Sequence, residues 1–571
     1  MNLFITYLRP LFRRMLLGFS IKFTGTIMDL FLPWILAFII DVVIPTENVN
    51  RILLWGGLMI GCSVIGVVAS IKANRMASSV ARDAVRDIRH ELYEKISYLS
   101  ASQVDHFSTP SLISRLTSDT YNIHRTIGLM QRIGVRGPIL LLGGLLMTLT
   151  LDPMLTLVML FVLPFATLAV YFISKKGIPL FDSLQKEVDK LVRTVRENIT
   201  GARVIKALSK TDYEKERFEK VNQKVVAAET NANKTMAATP PLMHLFLNIG
   251  LALVILASAY RVNQGLTQPG VVIAFMTYFT IILNAMLSIT RIFVMYSRGV
   301  ASANRIYAIL EAEPELETVD MDAVEDKAHI RFDSVYFGYG KQKKTLQNIN
   351  FSIDKGETLG IIGATGSGKS TIIKLLLRLY DCSEGSIRIN GVNIKSMSLK
   401  ELHTKFGLAM QNDFLYADTM KENIDFGREL SEEDIIKATE DAQASEFIDS
   451  LDEGLDYPLN AKATNLSGGQ KQRVLLSRAL AGNPEILILD DSSSALDYKT
   501  DAQLRQVLNE KYRETTTIMI AQRVSSIQNA DHIILLDKGS IIGYGSHKEL
   551  LNTSEPYREI YENQSGGEQI A

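Results

Sequence analysis

The sequence predicts two fused fold classes: an all-α membrane domain with long polar helical hairpins, followed by a soluble α/β domain. Six mostly apolar runs lie in the first half of the chain, and each has the roughly 20 residues that a bilayer-spanning helix needs. Beyond them, short apolar strands alternate with helices, which is typical of a domain with a mainly parallel sheet. The mean hydropathy of +0.11 averages these two unlike halves.

The predicted spans are residues 15–44, 52–71, 133–151, 154–173, 241–260 and 271–295. The third and fourth spans form a hairpin at Asp152-Pro153. Lys and Arg are concentrated in the N-terminus, in two long polar stretches (72–132 and 175–234) and after the sixth span. By the positive-inside rule these parts face the cytoplasm. We therefore expect a multi-pass protein of the cytoplasmic (inner) membrane, in contact with lipid, with both termini and the soluble domain in the cytoplasm.

The middle of each polar stretch is interrupted, by Pro110 in the first and by Gly201 in the second. Such residues break a regular helix, so we expect short crosswise helices at 112–119 and 202–207 that dock on soluble domains. A solvated coiled coil that ends in a loop is the plainer alternative.

The composition excludes several other classes of protein. The net charge is −1, so no bulk positive charge points to nucleic acid as a partner. Two cysteines, Cys62 and Cys382, suggest neither a disulfide framework nor a zinc site. The acidic segment 311–328 is interpreted as a linker, which places the membrane domain at 1–310, the soluble domain at 329–563 and a disordered tail at 564–571.

Four ionisable residues lie within or near the apolar spans. Intramembrane charge is costly and often functional, so these residues are candidates for substrate contact. Equally, they could lie at the interface or pair across helices, and they do not identify a transported molecule. They are Lys22, Asp29, His244 and Arg291.

A phosphate-binding loop lies in the soluble domain, between a predicted strand (358–362) and a predicted helix (371–379) that begins at Thr371. Its residues match the full P-loop pattern: Gly363, Ala364, Thr365, Gly366, Ser367, Gly368, Lys369 and Ser370. Backbone N–H groups of such a loop cradle phosphate, the lysine reaches the β- and γ-phosphates, and the serine binds Mg²⁺. The apolar strand 486–490 ends in Asp490, a second Mg²⁺ ligand at the separation expected after a P-loop. These residues predict an ATP and Mg²⁺ site.

A second glycine-rich anion site opens another helix further along the chain, and one nucleotide cannot easily use two phosphate sites on one chain. Its residues are Leu466, Ser467, Gly468, Gly469 and Gln470. This string resembles the signature motif of ATP-binding cassette (ABC) transporters. In that family two cassettes pair head to tail, and the signature of one faces the ATP on the other.

The resemblance covers the whole chain and implies a half-transporter of the multidrug and lipid exporter type. It implies that Tyr339 stacks on adenine, although a core tyrosine is the alternative. It also implies that Gln411 contacts Mg²⁺ and links to the membrane part, and that Asp497 belongs to the D-loop, 494–497.

The chain departs from the family pattern in three places. Asp491 stands where active cassettes have glutamate, so the carboxylate retreats by about 1.5 Å, and a displacement near 1 Å can cost on the order of 10²-fold in rate. Gln522 stands where the family has its switch histidine, and it can donate a hydrogen bond but carries no charge. The segment 459–464 replaces the usual Gly-Glu-Arg-Gly stretch, which puts the usual coupling contact in doubt.

Both site departures spare ATP binding and weaken hydrolysis, whereas the signature is intact. This division favours a heterodimer, in which the chain holds ATP at a degenerate site and completes an active site on a second half-transporter. The alternatives are a slow homodimer in which Asp491 still works, and an ATP-gated channel or regulatory subunit. Six spans argue against a soluble DNA-repair or translation ATPase of the same superfamily. The expected cargo is a hydrophobic or amphipathic small molecule or a lipid.

Overall fold

The computed structural model describes residues 2–340, 344–410, 414–492 and 495–565. The chain divides into two compact units. The first comprises Met1–Tyr98 and Thr109–Ala312, and the second comprises Leu99–Ser108 and Glu313–Ala571. The second unit therefore includes a short segment from the middle of the first polar stretch, which the sequence boundaries had left in the membrane domain.

The first unit is built from helices, several of which are far longer than a bilayer is thick. They are α1 (Asn2–Leu8), α2 (Phe12–Phe38), α3 (Val49–Ser97), α5 (Thr109–Ser114), α6 (Thr120–Leu151), α7 (Pro153–Thr200), α8 (Ala202–Ala207), α9 (Thr211–Ala237), α10 (Thr239–Asn263) and α11 (Pro269–Leu310), whereas α4 (Ala101–Phe107) belongs to the second unit. Among the described residues, six helical segments are long and apolar enough to cross a membrane, in the predicted order. The predicted all-α membrane fold with six spans is confirmed.

The hairpin between the third and fourth spans turns at Asp152, as predicted. Its carboxylate caps α7 by accepting from the backbone N–H of Met154 at 2.9 Å, and it also accepts from Arg261 Nε at 3.0 Å. Close helix packing in the same unit depends on small residues. A Cβ on Gly25 of α2 would lie 3.1 Å from the carbonyl oxygen of Gly66 on α3, so these backbones approach closely.

The first tip helix does not lie where the sequence analysis placed it. The segment 112–119 continues from α5 into α6, and Pro110 lies in the first turn of α5, where the missing N–H costs nothing. The short helix of the soluble unit is α4, which precedes the proline. Ser100 and Gln103 form a capping box that starts it. The second tip helix, α8, occupies the predicted residues.

The soluble unit contains two sheets. Its strands are β1 (Ile330–Phe337), β2 (Leu346–Ile353), β3 (Thr358–Gly363), β4 (Glu384–Ile389), β5 (Val392–Asn393), β6 (Phe406–Ala409), β7 (Ile486–Asp490), β8 (Thr516–Ile520), β9 (His532–Asp537) and β10 (Ser540–Gly545). A four-stranded antiparallel sheet has the order β2-β1-β4-β5, and a six-stranded sheet has the order β10-β9-β3-β8-β7-β6. In the larger sheet only β10 runs antiparallel, which confirms the expected α/β fold.

The helices of this unit flank the sheets. They are α12 (Lys369–Leu376), α13 (Leu399–Thr404), α14 (Met420–Asp425), α15 (Glu432–Asp441), α16 (Ser445–Asp449), α17 (Gly468–Leu480), α18 (Tyr498–Lys511), α19 (Val524–Ile527), α20 (His547–Thr553) and α21 (Glu555–Ser565). Apolar side chains of α12 pack in one core cluster with both sheets, and those of α17 pack in a second cluster with α14–α16. Gln564 and Ser565 lie in α21 rather than in a tail, and 566–571 are outside the described residues.

Candidate functional site

Three neighbouring parallel strands bring the candidate site together. Strand β8 lies between β3 and β7 in the sheet, and all three point the same way. The loop after β3 is the P-loop, β7 ends at Asp490 and is followed by Asp491, and Gln522 follows β8. Ligand sites form outside the carboxyl ends of such strands. The topology therefore places the sequence-predicted residues at one edge.

The P-loop turns sharply before α12 begins. Gly366 and Gly368 have φ angles of +81° and +109°, in the region where side chains other than glycine are strained. The loop folds over the Lys369 side chain, whose Nζ donates to the carbonyl oxygens of Gly363 at 2.8 Å and Ala364 at 3.0 Å. Burial lowers the pKa of Lys369, against the opposing effect of Asp490. The ammonium is thus held at the N-terminus of α12, where phosphate would bind.

Two oxygen ligands meet beside this lysine. Ser370 Oγ donates to Asp490 Oδ2 at 3.0 Å, and Asp490 is only 4% exposed. Burial raises the pKa of Asp490, and the Ser370 hydrogen bond opposes that shift. A hydroxyl and a carboxylate are the kind of ligands that Mg²⁺ prefers. The donor set therefore fits the metal predicted for it.

The two residues that depart from the family pattern contact each other. Gln522 Nε2 donates to Asp491 Oδ2 at 2.9 Å. Asp491 has a left-handed backbone, with φ of 52°, and its N–H donates to the carbonyl oxygen of Ile520 at 2.9 Å. The strand β8 therefore fixes the backbone of Asp491, and the loop after β8 supplies the amide that engages its carboxylate.

One contributor to the site was missed by the sequence analysis. Gln564 on α21 accepts from the backbone N–H of Val524 at 2.7 Å through Oε1 and donates to the carbonyl oxygen of Gln522 at 3.0 Å through Nε2. It bridges both sides of the loop after β8. No sequence signal pointed to it, since a polar residue near the C-terminus was assigned to a disordered tail.

The candidate adenine-stacking residue, Tyr339, lies over the same region. Its ring is 40% exposed, with the hydroxyl 3.3 Å from Thr371 Oγ1 and the Lys374 ammonium 5.4 Å from the ring centroid. Tyr380 packs against it edge to face, with the centroids 5.2 Å apart. Tyr339 keeps an exposed aromatic surface beside the P-loop helix. Such a surface can stack on an adenine base, whereas a tyrosine with only a packing role would be buried, so the exposure favours the stacking role.

The signature residues open α17. Ser467 is the N-cap residue, and it forms a capping box with Gln470: its Oγ accepts from the Gln470 N–H at 3.3 Å, and Gln470 Oε1 accepts from the Ser467 N–H at 2.9 Å. Ser467 is exposed, and a Cβ added to Gly468 would meet nothing within 4 Å. The anion-binding end of α17 is thus accessible from outside the chain.

Comparison with known proteins identifies the family. The model of the ABC transporter transmembrane region matches residues 15–286, and that of the ABC transporter domain matches 346–494. An uncharacterized ABC transporter ATP-binding protein of Bacillus subtilis, YfiB, is 34% identical over 566 residues, which cover 99% of this chain and 98% of the relative. The chain belongs to the ABC transporter family. It is a multi-pass membrane protein and an ATPase-coupled transporter.

Two further proteins that resemble this ABC transporter have more specific names. An ATP-dependent lipid A-core flippase of Vibrio vulnificus is 30% identical over 513 residues, covering 89% of this chain and 88% of the relative. A solved structure of a bacterial Atm1-family ABC exporter with ATP bound has a TM-score of 0.82 at 23% identity and covers 98% of both chains. The second comparison shows that the fold is shared.

Several other predicted residues lie outside the described part of the chain, and the rest adopt local structures of their own. Gln411 and the first residue of the D-loop lie outside the described residues, as does the Arg291 side chain. Asp497 caps α18 by accepting from the N–H of Thr500 at 3.0 Å, and that hydrogen bond is the main cause of its lowered pKa. In the divergent segment before the signature, Lys462 and Ala463 have φ angles of 63° and 47°, so two side-chain-bearing residues adopt left-handed backbone there.

The tip helix α4 makes several contacts within the soluble unit. Tyr380 donates to Asp105 Oδ2 at 2.6 Å, and Gln103 Nε2 donates to the carbonyl oxygen of Glu313 at 2.6 Å. Ser100 Oγ donates to Glu315 Oε2 at 2.7 Å. The short helix α4 thus packs on the cassette, whereas the predicted segment 112–119 continues α5 into α6.

Proposed function

We propose that this chain is one half of a heterodimeric exporter, which uses ATP to move a hydrophobic or amphipathic small molecule or a lipid out across the cytoplasmic membrane. Its partners are a second half-transporter, membrane lipid and the transported molecule. Nucleic acid is not among them. Its own nucleotide site binds ATP and hydrolyses it poorly. The observation that carries this proposal is the hydrogen bond between Gln522 and Asp491.

Binding of nucleotide is assigned to the parts of the site that match the family pattern. Lys369 neutralises the terminal phosphates, Ser370 and Asp490 hold Mg²⁺, and Tyr339 stacks on the base. When bound, Mg²⁺·ATP supplies the phosphoryl group whose transfer to water drives the transport cycle. The P-loop, the end of β7 and the segment after β1 supply these side chains.

We attribute the weak hydrolysis of ATP to the two residues beside the position of the attacking water, Asp491 and Gln522. Asp491 is one methylene shorter than glutamate, and its Oδ2 is engaged by the Gln522 amide. A carboxylate that is set back by about 1.5 Å is poorly placed to orient water. The Gln522 amide has one N–H left with which to reach phosphate while this bond is made, and it brings no positive charge. Both features leave binding intact and lower the rate.

The signature is assigned to the partner's site. Ser467 and Gly468 are exposed at the start of α17, whose apolar residues pack in a different core cluster from those of the P-loop helix. A helix N-terminus whose serine O–H can still donate is an anion site. We propose that it donates to the γ-phosphate of ATP held on the second half-transporter.

Relatives and charge distribution support the cargo class and the orientation. One relative is named a lipid A-core flippase, and the shared fold is that of an ABC exporter. The basic polar stretches place both termini and the cassette in the cytoplasm. The competing functions are a slow homodimeric exporter, in which Asp491 is a working base, and an ATP-gated channel or regulatory subunit that shows no ATP-driven flux.

The deciding experiment compares two variants in the assembled transporter, purified through a tag on this chain. Ser467→Ala removes a donor at the proposed active site, and loss of one such donor can cost on the order of 10²-fold. Asp491→Asn changes only the degenerate site and should alter total ATPase activity modestly. Equal and severe losses would mean that both sites hydrolyse. A severe loss from Asp491→Asn alone would support the homodimer.

A further inference from the structure

A group of basic side chains lies among the membrane helices. The acidic side chains beside it are too few to neutralise its positive charge. Lys22 on α2 is only 4% exposed, and its Nζ has two neutral neighbours on α3, Asn74 Oδ1 at 3.2 Å and Ser70 Oγ at 3.4 Å. Neither neighbour carries a charge, and both distances are long for a charge-assisted hydrogen bond. The ammonium is therefore held without a counterion of its own.

Two arginines of α6 extend this group. Arg136 Nη2 donates to Asp29 Oδ2 at 3.0 Å, and Arg132 Nε donates to the backbone oxygen of Gly128, one turn earlier, at 2.9 Å. The charges that act on Lys22 are those of Arg132, Arg136 and Asp29. Three positive charges against one negative charge leave this basic cluster (Lys22, Arg132 and Arg136, with Asp29) at a net +2.

The cluster lies in the cytoplasmic part of the proposed membrane span. Lys22 is seven residues beyond residue 15, where the first span is predicted to begin, or about 10 Å at 1.5 Å per residue. Arg136 comes shortly after the predicted start of the third span at residue 133. Charged side chains inside a membrane face the protein interior or a water-filled cavity rather than lipid tails.

Arg136 is the most accessible donor of the cluster. The side chain of Arg136 is 47% exposed in the single chain, and among the described residues Asp29 alone accepts from it, at Nη2. Its other guanidinium nitrogens therefore remain available as donors. A guanidinium suits the paired oxygens of phosphate or carboxylate, and Lys22 behind it raises the local positive potential.

We propose that the basic cluster binds the anionic head group, a phosphate or a carboxylate, of an amphiphile whose tail lies among the apolar helices. This proposal rests on the export function proposed above and narrows its cargo class. Arg136 contacts the head group, Lys22 and Arg132 supply the field, and Asp29 competes with the ligand for Arg136. Because Asp29 is a competitor, the model makes predictions of opposite sign for neighbouring residues.

The test uses the assembled transporter in phosphatidylcholine nanodiscs and two radiolabelled probes with the same oleoyl chain, lysophosphatidic acid and lysophosphatidylcholine. We expect the anionic probe to bind more tightly to the wild type. Arg136→Gln should weaken its binding about 10-fold, since hydrogen bonds to charged groups are of that size. Asp29→Asn should tighten it about threefold or more, because the internal competitor is lost. The matched control, Arg51→Gln, removes an exposed charge at the other end of α3 and should change neither affinity.

Several outcomes discriminate between explanations. Release of bound lysophosphatidic acid on adding ATP identifies it as cargo, whereas retention identifies a resident lipid head group, and both support the anionic site. Equal binding of the two probes, or Arg136→Gln and Asp29→Asn variants with wild-type affinity for the anion, would overturn it. ATP-driven movement of lysophosphatidylcholine in that case would leave the export function standing. Absence of ATP-driven movement of both probes would count against such an amphiphile as cargo, and tight binding of the anionic probe alone would then mark a site for a resident lipid.

Discussion

Gln522 and Asp491 are hydrogen-bonded partners, with Gln522 Nε2 2.9 Å from Asp491 Oδ2. These are the two nucleotide-site positions at which this cassette departs from the pattern of its family, and they follow adjacent parallel strands, β8 and β7. The Oδ2 atom of Asp491 and one N–H of the Gln522 amide therefore engage each other directly. Their effects on turnover should therefore be coupled rather than independent.

This coupling predicts the outcome of restoring the family residues. In the purified chain, Asp491→Glu together with Gln522→His should raise ATP turnover at least about 10-fold, because the longer carboxylate regains its reach. Each single substitution should raise ATP turnover much less than the double substitution, because the other departed residue is still present in the site. Phosphate release under saturating Mg²⁺·ATP measures the effect. Additive single changes, or no gain in the double variant, would show that another feature limits hydrolysis.

Gln564 should act as a positioning residue for the loop after β8. Gln564→Leu removes both hydrogen bonds, to the Val524 N–H and to the Gln522 oxygen, at a net cost of about 1 kcal/mol for each. Hydrogen exchange at Val524 should then become about 10-fold or more faster. Asn563→Leu, on the exposed neighbouring position, is the control. Unchanged protection at Val524 in the Gln564 variant would contradict this role.

Lys369 should make nucleotide binding sensitive to alkaline pH. Burial lowers the pKa of Lys369, so its charge is lost at a lower pH than the ordinary value of about 10.4. Affinity for ATP should therefore fall as pH rises toward that value. Lys369→Ala should weaken binding by about 10-fold or more at neutral pH, because a charged donor is lost, and should flatten the pH dependence. Titrations with a fluorescent ATP analogue measure both effects. A wild-type affinity that stays constant up to pH 10 would argue against this assignment.

Asp490 should limit stability while it enables metal binding. Burial raises the pKa of Asp490, so the folded state binds its proton more tightly than the unfolded state does. The contribution of this group to stability is therefore greatest at low pH and falls as pH rises through the ordinary aspartate range toward the raised value. At neutral pH, Asp490→Asn should raise the Tm of the nucleotide-free protein and abolish its further rise with Mg²⁺·ATP. Thermal unfolding by fluorescence tests this, and a lowered Tm without ligand would refute it.

The sequence predicted the six spans, the α/β cassette and the residues at the strand ends, because hydrophobic length and glycine-rich loops are local signals. Contacts between elements that are distant in the sequence could not be predicted, because they depend on the three-dimensional fold. The bond from Gln522 to Asp491 depends on β8 lying beside β7, and the role of Gln564 depends on where α21 returns. The misplaced tip helix has a local cause: Pro110 was interpreted as a helix breaker, whereas the capping box at Ser100 and Gln103 starts the helix that docks.

The tip helix α4 should report the occupancy of the nucleotide site. Asp105 on α4 accepts from the Tyr380 hydroxyl at 2.6 Å, and Tyr380 packs edge to face on Tyr339, the proposed adenine-stacking residue. Burial, followed by the Asp105 hydrogen bond, raises the pKa of Tyr380, so the hydroxyl stays a donor at physiological pH. This chain of contacts joins the base to the segment between α3 and α5.

Tyr380→Phe keeps the ring and removes the hydroxyl, so it isolates the contact to α4. We expect ATP to bind within about threefold of the wild-type affinity, since the packing on Tyr339 survives. The increase in hydrogen-exchange protection of α4 on ATP binding should be lost, and transport per ATP hydrolysed should fall severalfold. Tyr498→Phe, at a residue that is 92% exposed, is the matched control and should behave as the wild type. If transport and hydrolysis fell in parallel in the Tyr380 variant, the contact would serve the stability of the cassette and not its communication with α4.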